Sequence, residues 1–210
     1  MKLRTLNFDE LAQVYEGDLR AAFPPSELKS LRSMEGMLRR GIYDPLCLED
    51  ERGERLGYIL LWKHRDGRYI LIDYLCVPAS RRGGGIGGQI LRAVRDFYPA
   101  DTVLLAESEA PTGDPERDGL ILRRLGFYAR NGARTLGYDC ALFGIRFKVI
   151  CWADPLPAEA EILQKHREIY LDQFGQARYD RSVQIPLAPG EKPFPVTDWV
   201  EDGDLPPEEA

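Results

Sequence analysis

Residues 81–88 read Arg-Arg-Gly-Gly-Gly-Ile-Gly-Gly, between an apolar run at 69–77 and a helix-patterned stretch at 89–97. A strand, a glycine loop and a helix in that order make a phosphate cradle. Glycines let the backbone turn sharply and bring several N–H groups to one anion, and the helix N-terminus adds partial positive charge. Arg82 adds a fixed cation whose planar donor fork suits phosphate. The order predicts a site for a phosphorylated cofactor, built from Arg82, Gly83, Gly84, Gly85, Ile86, Gly87 and Gly88.

Two spacings overlap in this octet. One is Arg82-x-x-Gly85-x-Gly87; the other is Gly83-x-Gly85-x-x-Gly88, the dinucleotide fingerprint. The fingerprint needs its first glycine straight after a parallel strand and an acid about 20 positions on. Glu107 stands near that offset, which keeps an NAD(P)-binding oxidoreductase open. Against it, Pro78-Ala-Ser-Arg-Arg82 separates strand from glycine, and the preceding segment reads as antiparallel. With no Gly-Lys-Ser/Thr, a nucleotide-triphosphate loop is disfavoured.

The stretch Leu75-x-Val77-Pro-x-x-Arg-Arg82-x-x-Gly85-Ile-Gly87 resembles the acetyl-CoA signature of the GNAT superfamily of acyl-CoA N-acyltransferases. Downstream, Arg123-Arg-Leu-Gly-Phe-Tyr128-Ala-Arg-Asn-Gly132 resembles that family's second motif, with Ala133 where an aromatic residue is usual. The two motifs stand in the family's order, and the resemblance covers roughly residues 1–150. It implies an α/β (α+β) fold with a mixed, mostly antiparallel central sheet, flanked by helices and splayed at the cofactor site. It also implies acetyl-CoA as co-substrate and a primary amine, small molecule or peptide, as acceptor.

Acetyl transfer needs a deprotonated amine, an oxyanion donor and a proton for the leaving thiolate. By resemblance, the backbone of Leu75, Cys76 and Val77 pairs with the pantetheine arm and helps bind the carbonyl oxygen. Arg82 and the amides of 83–88 hold the pyrophosphate. Arg81 meets the adenosine 3′-phosphate or solvent. Tyr128 takes the role of the tyrosine that protonates the thiolate, which a phenol with pKa near 10 does without ionising first. Glu107, read as ending a strand, is the candidate base, directly or through water, and Glu109 competes for that role. Asp73, costly to bury alone in an apolar strand, orients the amine or pairs with an arginine. Glu27 lines the acceptor pocket or complements a helix dipole. No cysteine placement demands an acetyl-enzyme, so direct attack in a ternary complex is expected. A non-catalytic acyl-CoA sensor of the same fold is the alternative.

These residues need elements to hold them. Leu11, Val14, Tyr15, Leu19 and Phe23 recur at helical spacing behind Asn7 or Asp9, and Pro24-Pro25 ends that helix. Ser26 is the expected cap of a second helix carrying Leu28, Leu31, Met34 and Leu38. An antiparallel meander follows at 46–48, 56–62 and 69–77, turning at Asp50-Glu-Arg-Gly53 and Asp66-Gly67. After the glycine loop comes a helix with Ile90, Leu91, Val94 and Phe97 inward, then the strand ending at Glu107. Asp114-Pro115 opens a further helix, stopped at Gly132. Strands at 134–139 and 143–152 and a helix at 159–174 complete residues 1–186. The part after about residue 153 is less typical of the family. Residues 187–210 read as an irregular, acidic, proline-rich tail that Phe194 and Trp199 could dock.

Of 210 residues, 44% are hydrophobic and 30% charged, ordinary for a globular protein. The formal charge of −6 resides in the last 22 residues, seven acids against one lysine, leaving a neutral body that gives no support to nucleic-acid binding. Cys47, Cys76, Cys140 and Cys151 are scattered, and with His64 and His166 they match no familiar zinc spacing, so no metal is expected. Reduced thiols, a charged start at Met1–Glu10 and the absence of any membrane-length apolar run point to the cytoplasm. A homodimer is compatible with the sequence.

Overall fold

A computed structural model of the chain describes residues 1–25 and 27–196. The fold is mixed α/β, with antiparallel strands and helices against them, in two compact units that divide at residues 102 and 103.

The first unit starts with a short strand, β1 (Lys2–Thr5), antiparallel to β2. Asn7 then caps α1 (Phe8–Val14) through a reciprocal box: its side chain accepts from Glu10 N, and Glu10 accepts from Asn7 N. The helix widens into a π-helical turn at Tyr15–Leu19 and ends in α2 (Arg20–Ala22). Ser26 lies outside the described residues. The next helix, α3 (Leu31–Arg39), is capped by Ser30, later than the sequence suggested, because Pro24 and Pro25 hold the connection in turns. Then come β2 (Tyr43–Glu49), β3 (Arg55–Lys63) and β4 (Tyr69–Cys76), an antiparallel meander in chain order. Residues 56–62 of β3 are all buried, which is why they read as one continuous apolar run. A 3₁₀ turn at Ala79–Arg81 leads into α4 (Ile86–Phe97), which packs on β3 and β1. Ile90, Leu91 and Val94 face inward as expected, whereas Phe97 is 46% exposed, past the end of that stripe.

The second unit orders its strands β5 (Val103–Glu109), β7 (Ile145–Trp152), β6 (Arg134–Leu142) and β8 (Val183–Leu187), all antiparallel. α5 (Pro115–Arg130) follows β5, with Asp114 accepting from Glu116 N at its start. α6 (Glu159–Ser182) breaks at Gly175, where φ is 67° and ψ 167°. Ile162, His166, Ile169, Tyr170, Gln173 and Phe174 form its buried stripe, at helical spacing but partly polar. β1 and β8 are absent from the sequence reading. β1 alternates basic and uncharged residues over four positions, and β8 ends on the expected tail boundary at residue 187. Residues 188–196 carry no helix or strand; Gln184 accepts from Phe194 N and donates to Glu191, which seats them against β8. Trp199 lies outside the described residues.

The seat of α4 depends on Gly57. A Cβ there would lie 2.9 Å from Ile90 Cδ1 and 3.0 Å from the Cys76 carbonyl oxygen, so the Ile90 side chain must shift and the carbonyl must give by a few tenths of an ångström. Gly57→Val should therefore lower stability by about 1–3 kcal/mol in a denaturant titration. A loss below about 0.5 kcal/mol would mean that helix and strand do not meet there.

Candidate active site

The loop between β4 and α4 has a geometry that only its glycines permit. Gly83 (φ 85°) and Gly85 (φ 74°) are left-handed, and a Cβ on either would meet nothing within 4 Å. Gly85 is also the N-cap of α4, and no side chain caps that end. None of the backbone N–H groups of residues 83–88 donates to another described residue. Amides left bare at a helix start want an anion. Arg82 bends back so that its Nε donates to the Val77 carbonyl at 3.0 Å, and its terminal nitrogens have no partner among the described residues. The guanidinium thus ties the strand end to the loop and keeps its outer fork available. Arg81 pairs with Glu54 at 3.0 Å. Residues 82–88 fit a phosphate group. In β4, Leu75 and Cys76 pair with Ile59 and Tyr58 of β3.

Asp73 sits at a β-bulge: Ile72 and Tyr74 have partners on β3, and Asp73 has none. Its carboxylate is taken up within the unit. Oδ1 receives Lys29 Nζ at 2.5 Å, and Oδ2 receives Tyr43 Oη–H at 2.6 Å. The Lys29 ammonium, 1% exposed, also lies 4.8 Å from the Trp62 ring centroid and 5.7 Å from that of Tyr74. The expected arginine partner is therefore a lysine, supplied by the loop before α3. That loop is pinned again where Lys29 N donates to Tyr74 Oη and Tyr74 donates to the Glu27 carbonyl. Glu27 is an exposed turn residue rather than a first-turn helix residue, so the dipole reading does not apply to it.

In the second unit, β5 continues past Glu107 to Glu109. The Glu107 carboxylate is enclosed: His166 Nε2 lies 2.7 Å from Oε1, and Tyr170 Oη–H donates to Oε2 at 2.7 Å. Glu109 meets Arg117 at 2.8 Å and Arg124 at 4.0 Å. His166 and Tyr170 were not among the expected residues. The only signal was their place on the buried stripe of α6.

Tyr128 lies near the end of α5, its ring edge-on to Phe127 and Trp152 at centroid distances of 5.2 and 5.7 Å. Trp152 Nε1 donates to the Asn131 carbonyl, fixing the helix end that carries the tyrosine. The Tyr128 hydroxyl makes no hydrogen bond to any described residue. Burial raises its pKa above the ordinary 10, so the phenol keeps its proton. All four thiols are buried, and burial pushes Cys47 and Cys76 to about 11, Cys151 to about 12 and Cys140 well above 9. None is poised as a nucleophile.

The sequence model of the acetyltransferase (GNAT) family matches residues 8–118, more than half of the chain. The chain belongs to the GNAT acetyltransferase family. Among relatives, the YjbC protein of Bacillus subtilis (strain 168), which carries an acetyltransferase designation, is 28% identical over 157 residues. That match spans 70% of this chain and 74% of YjbC. A GNAT-family structure from Bacteroides thetaiotaomicron superposes with a TM-score of 0.65 at 17% identity, covering 82% of this chain and 97% of that one. The spermidine N-acetyltransferase of Vibrio cholerae, solved with CoA and spermine, has a TM-score of 0.52 at 13% identity. It covers 72% of this chain and 94% of its own. GNAT membership, with β4 antiparallel to β3 and Glu107 enclosed, removes the dinucleotide reading.

Asp73 and Lys29 supply a stability test. Lys29→Ala leaves an uncompensated carboxylate in the sheet and should cost about 3–5 kcal/mol by urea unfolding. Lys29→Met with Asp73→Leu should recover most of that loss. A cost under 1 kcal/mol for Lys29→Ala would mean the pair is solvated.

Proposed function

We propose that this GNAT protein is an N-acetyltransferase that moves the acetyl group of acetyl-CoA to a primary amine by direct attack in a ternary complex. The observation that carries the reading is the row of amides at 83–88 with no partner among the described residues, beside the outer fork of Arg82. Such a cradle suits the pyrophosphate of CoA. The backbone of Leu75, Cys76 and Val77 takes the pantetheine arm, and the protonated, unpartnered Tyr128 hydroxyl supplies the proton for the thiolate. Four buried, protonated thiols support direct transfer over an acetyl-cysteine route.

The base is assigned differently from the sequence reading. Both oxygens of Glu107 are engaged, Glu109 faces Arg117, and Asp73 is neutralised by Lys29. The proton of the amine therefore leaves to water. With these acids satisfied internally, little of their charge is left to select a polycation, and the acceptor is described only as a primary amine, small molecule or peptide. The relative that binds spermine makes polyamines the first compounds to assay.

Calorimetry should find micromolar binding of acetyl-CoA and none of NAD or NADP. Gly85→Val should weaken acetyl-CoA at least tenfold, about 1.4 kcal/mol, with the fold retained. Unchanged affinity in the folded variant would remove the loop from the site.

Tyr128→Phe removes a hydroxyl that bonds to no described residue, so stability should hold while kcat falls about 10²-fold or more and acetyl-CoA affinity stays. Polyamines, amino acids, aminoglycosides and peptides supply the acceptors. Equal rates for wild type and variant would leave water as the acid. Tight acetyl-CoA binding without turnover on any acceptor would make the protein a sensor.

A further inference from the structure

The second unit gathers three chemically different ligand atoms that are far apart in sequence. Glu107 Oε1 on β5, Cys140 Sγ on β6 and His166 Nε2 on α6 lie within 4.8 Å of one another. We propose that these three atoms form a Zn²⁺ site that clamps β5, β6 and α6 together. The proposal is independent of acetyl transfer.

The distances are close to what zinc requires. Tetrahedral bonds of about 2.0 Å to nitrogen and oxygen and 2.3 Å to sulfur put ligand atoms about 3.3–3.5 Å apart. Glu107 Oε1 is 2.7 Å from His166 Nε2 and 3.9 Å from Cys140 Sγ, so one gap opens and the other closes by roughly half an ångström. The Cys140 and His166 ligand atoms, within 4.8 Å of one another, close by up to about 1.3 Å, and side-chain rotations supply these shifts.

The surrounding shell is already that of a metal site. A ligating imidazole is normally oriented through its other nitrogen, and a ligating carboxylate through its other oxygen. Here Tyr138 Oη lies 3.2 Å from His166 Nδ1, and Tyr170 Oη–H holds Glu107 Oε2. The charges balance as well. A thiolate and a carboxylate together cancel Zn²⁺, which makes a buried site neutral, and a soft thiolate favours zinc over magnesium or calcium. On binding, the Cys140 thiol gives its proton to solvent as the S–Zn bond forms. The imidazole carries its remaining proton on Nδ1, toward the Tyr138 oxygen. The His166–Glu107 hydrogen bond is replaced by two bonds to the metal. Glu107 and Tyr138 retain some exposure, which gives an entry side, whereas Cys140 and His166 are fully enclosed. No spacing rule reveals this cluster, because its members are brought together only by the β5–β7–β6 order and the stripe of α6.

Tag-free protein is stripped with a chelator, exposed to excess Zn²⁺, desalted and measured by elemental mass spectrometry. Wild type and Cys47→Ser should each retain about one zinc per chain, and Cys140→Ser and His166→Gln should retain none. Zinc should raise the melting temperature of wild type and leave that of Cys140→Ser unmoved. Co²⁺ loaded into wild type should show a thiolate-to-metal charge-transfer band, a readout that does not require the variants to fold. Wild type that is folded yet retains no zinc, Cys140→Ser that binds like wild type, or bound Co²⁺ without the thiolate band would each overturn the site.

Discussion

A carboxylate cannot be left bare inside a sheet, and both units of this protein contain such groups. Burying an unpaired charge costs far more than a surface ion pair returns, so a partner must be delivered to it. Asp73, displaced by a bulge in β4, receives Lys29 and Tyr43. Glu107, in the middle of β5, receives His166 and Tyr170. The partners come from segments otherwise difficult to explain. The irregular loop before α3 is held against the sheet by its lysine, and α6 carries a histidine and a tyrosine on a stripe that packing alone would fill with aliphatic residues.

The same constraint separates what was legible in the sequence from what was not. The glycine loop, the meander and α5 with its Asp-Pro start are written in local chemistry, through positive φ, tight turns and a cap, and each is where the sequence put it. The acids were harder. A lone glutamate at an apparent strand end reads like a base only if the strand stops there, and Ser108 and Glu109 carry β5 onward. The partner of Asp73 lies 44 positions earlier and that of Glu107 lies 59 positions later. No period or spacing encodes such pairs. β1 and β8 escaped for a related reason: short edge strands are defined by the neighbour they pair with, not by an apolar pattern of their own.

Satisfying the acids internally has a consequence for chemistry. The groups suited to act on a ligand are those whose hydrogen-bonding capacity the fold leaves unused. Among the described residues these include three sets of donors: the amides of 83–88, the outer nitrogens of Arg82 and the hydroxyl of Tyr128. Two are donors matched to phosphate. The third is a phenol kept protonated by its burial.

The Tyr128 ring is flanked by the rings of Phe127 and Trp152, and its hydroxyl has no hydrogen-bond partner among the described residues. Under the proposed function, a carboxylate or carbonyl near that hydroxyl would hold its proton and compete with the leaving thiolate for it. Phe127 and Trp152 supply position without competition, and the Trp152 indole, which needs its own acceptor when buried, finds it in the Asn131 carbonyl at the helix end. One hydrogen bond thus anchors the ring that anchors the tyrosine. The same low-polarity surroundings that raise the pKa of the phenol strengthen the bond it can donate to a developing anion.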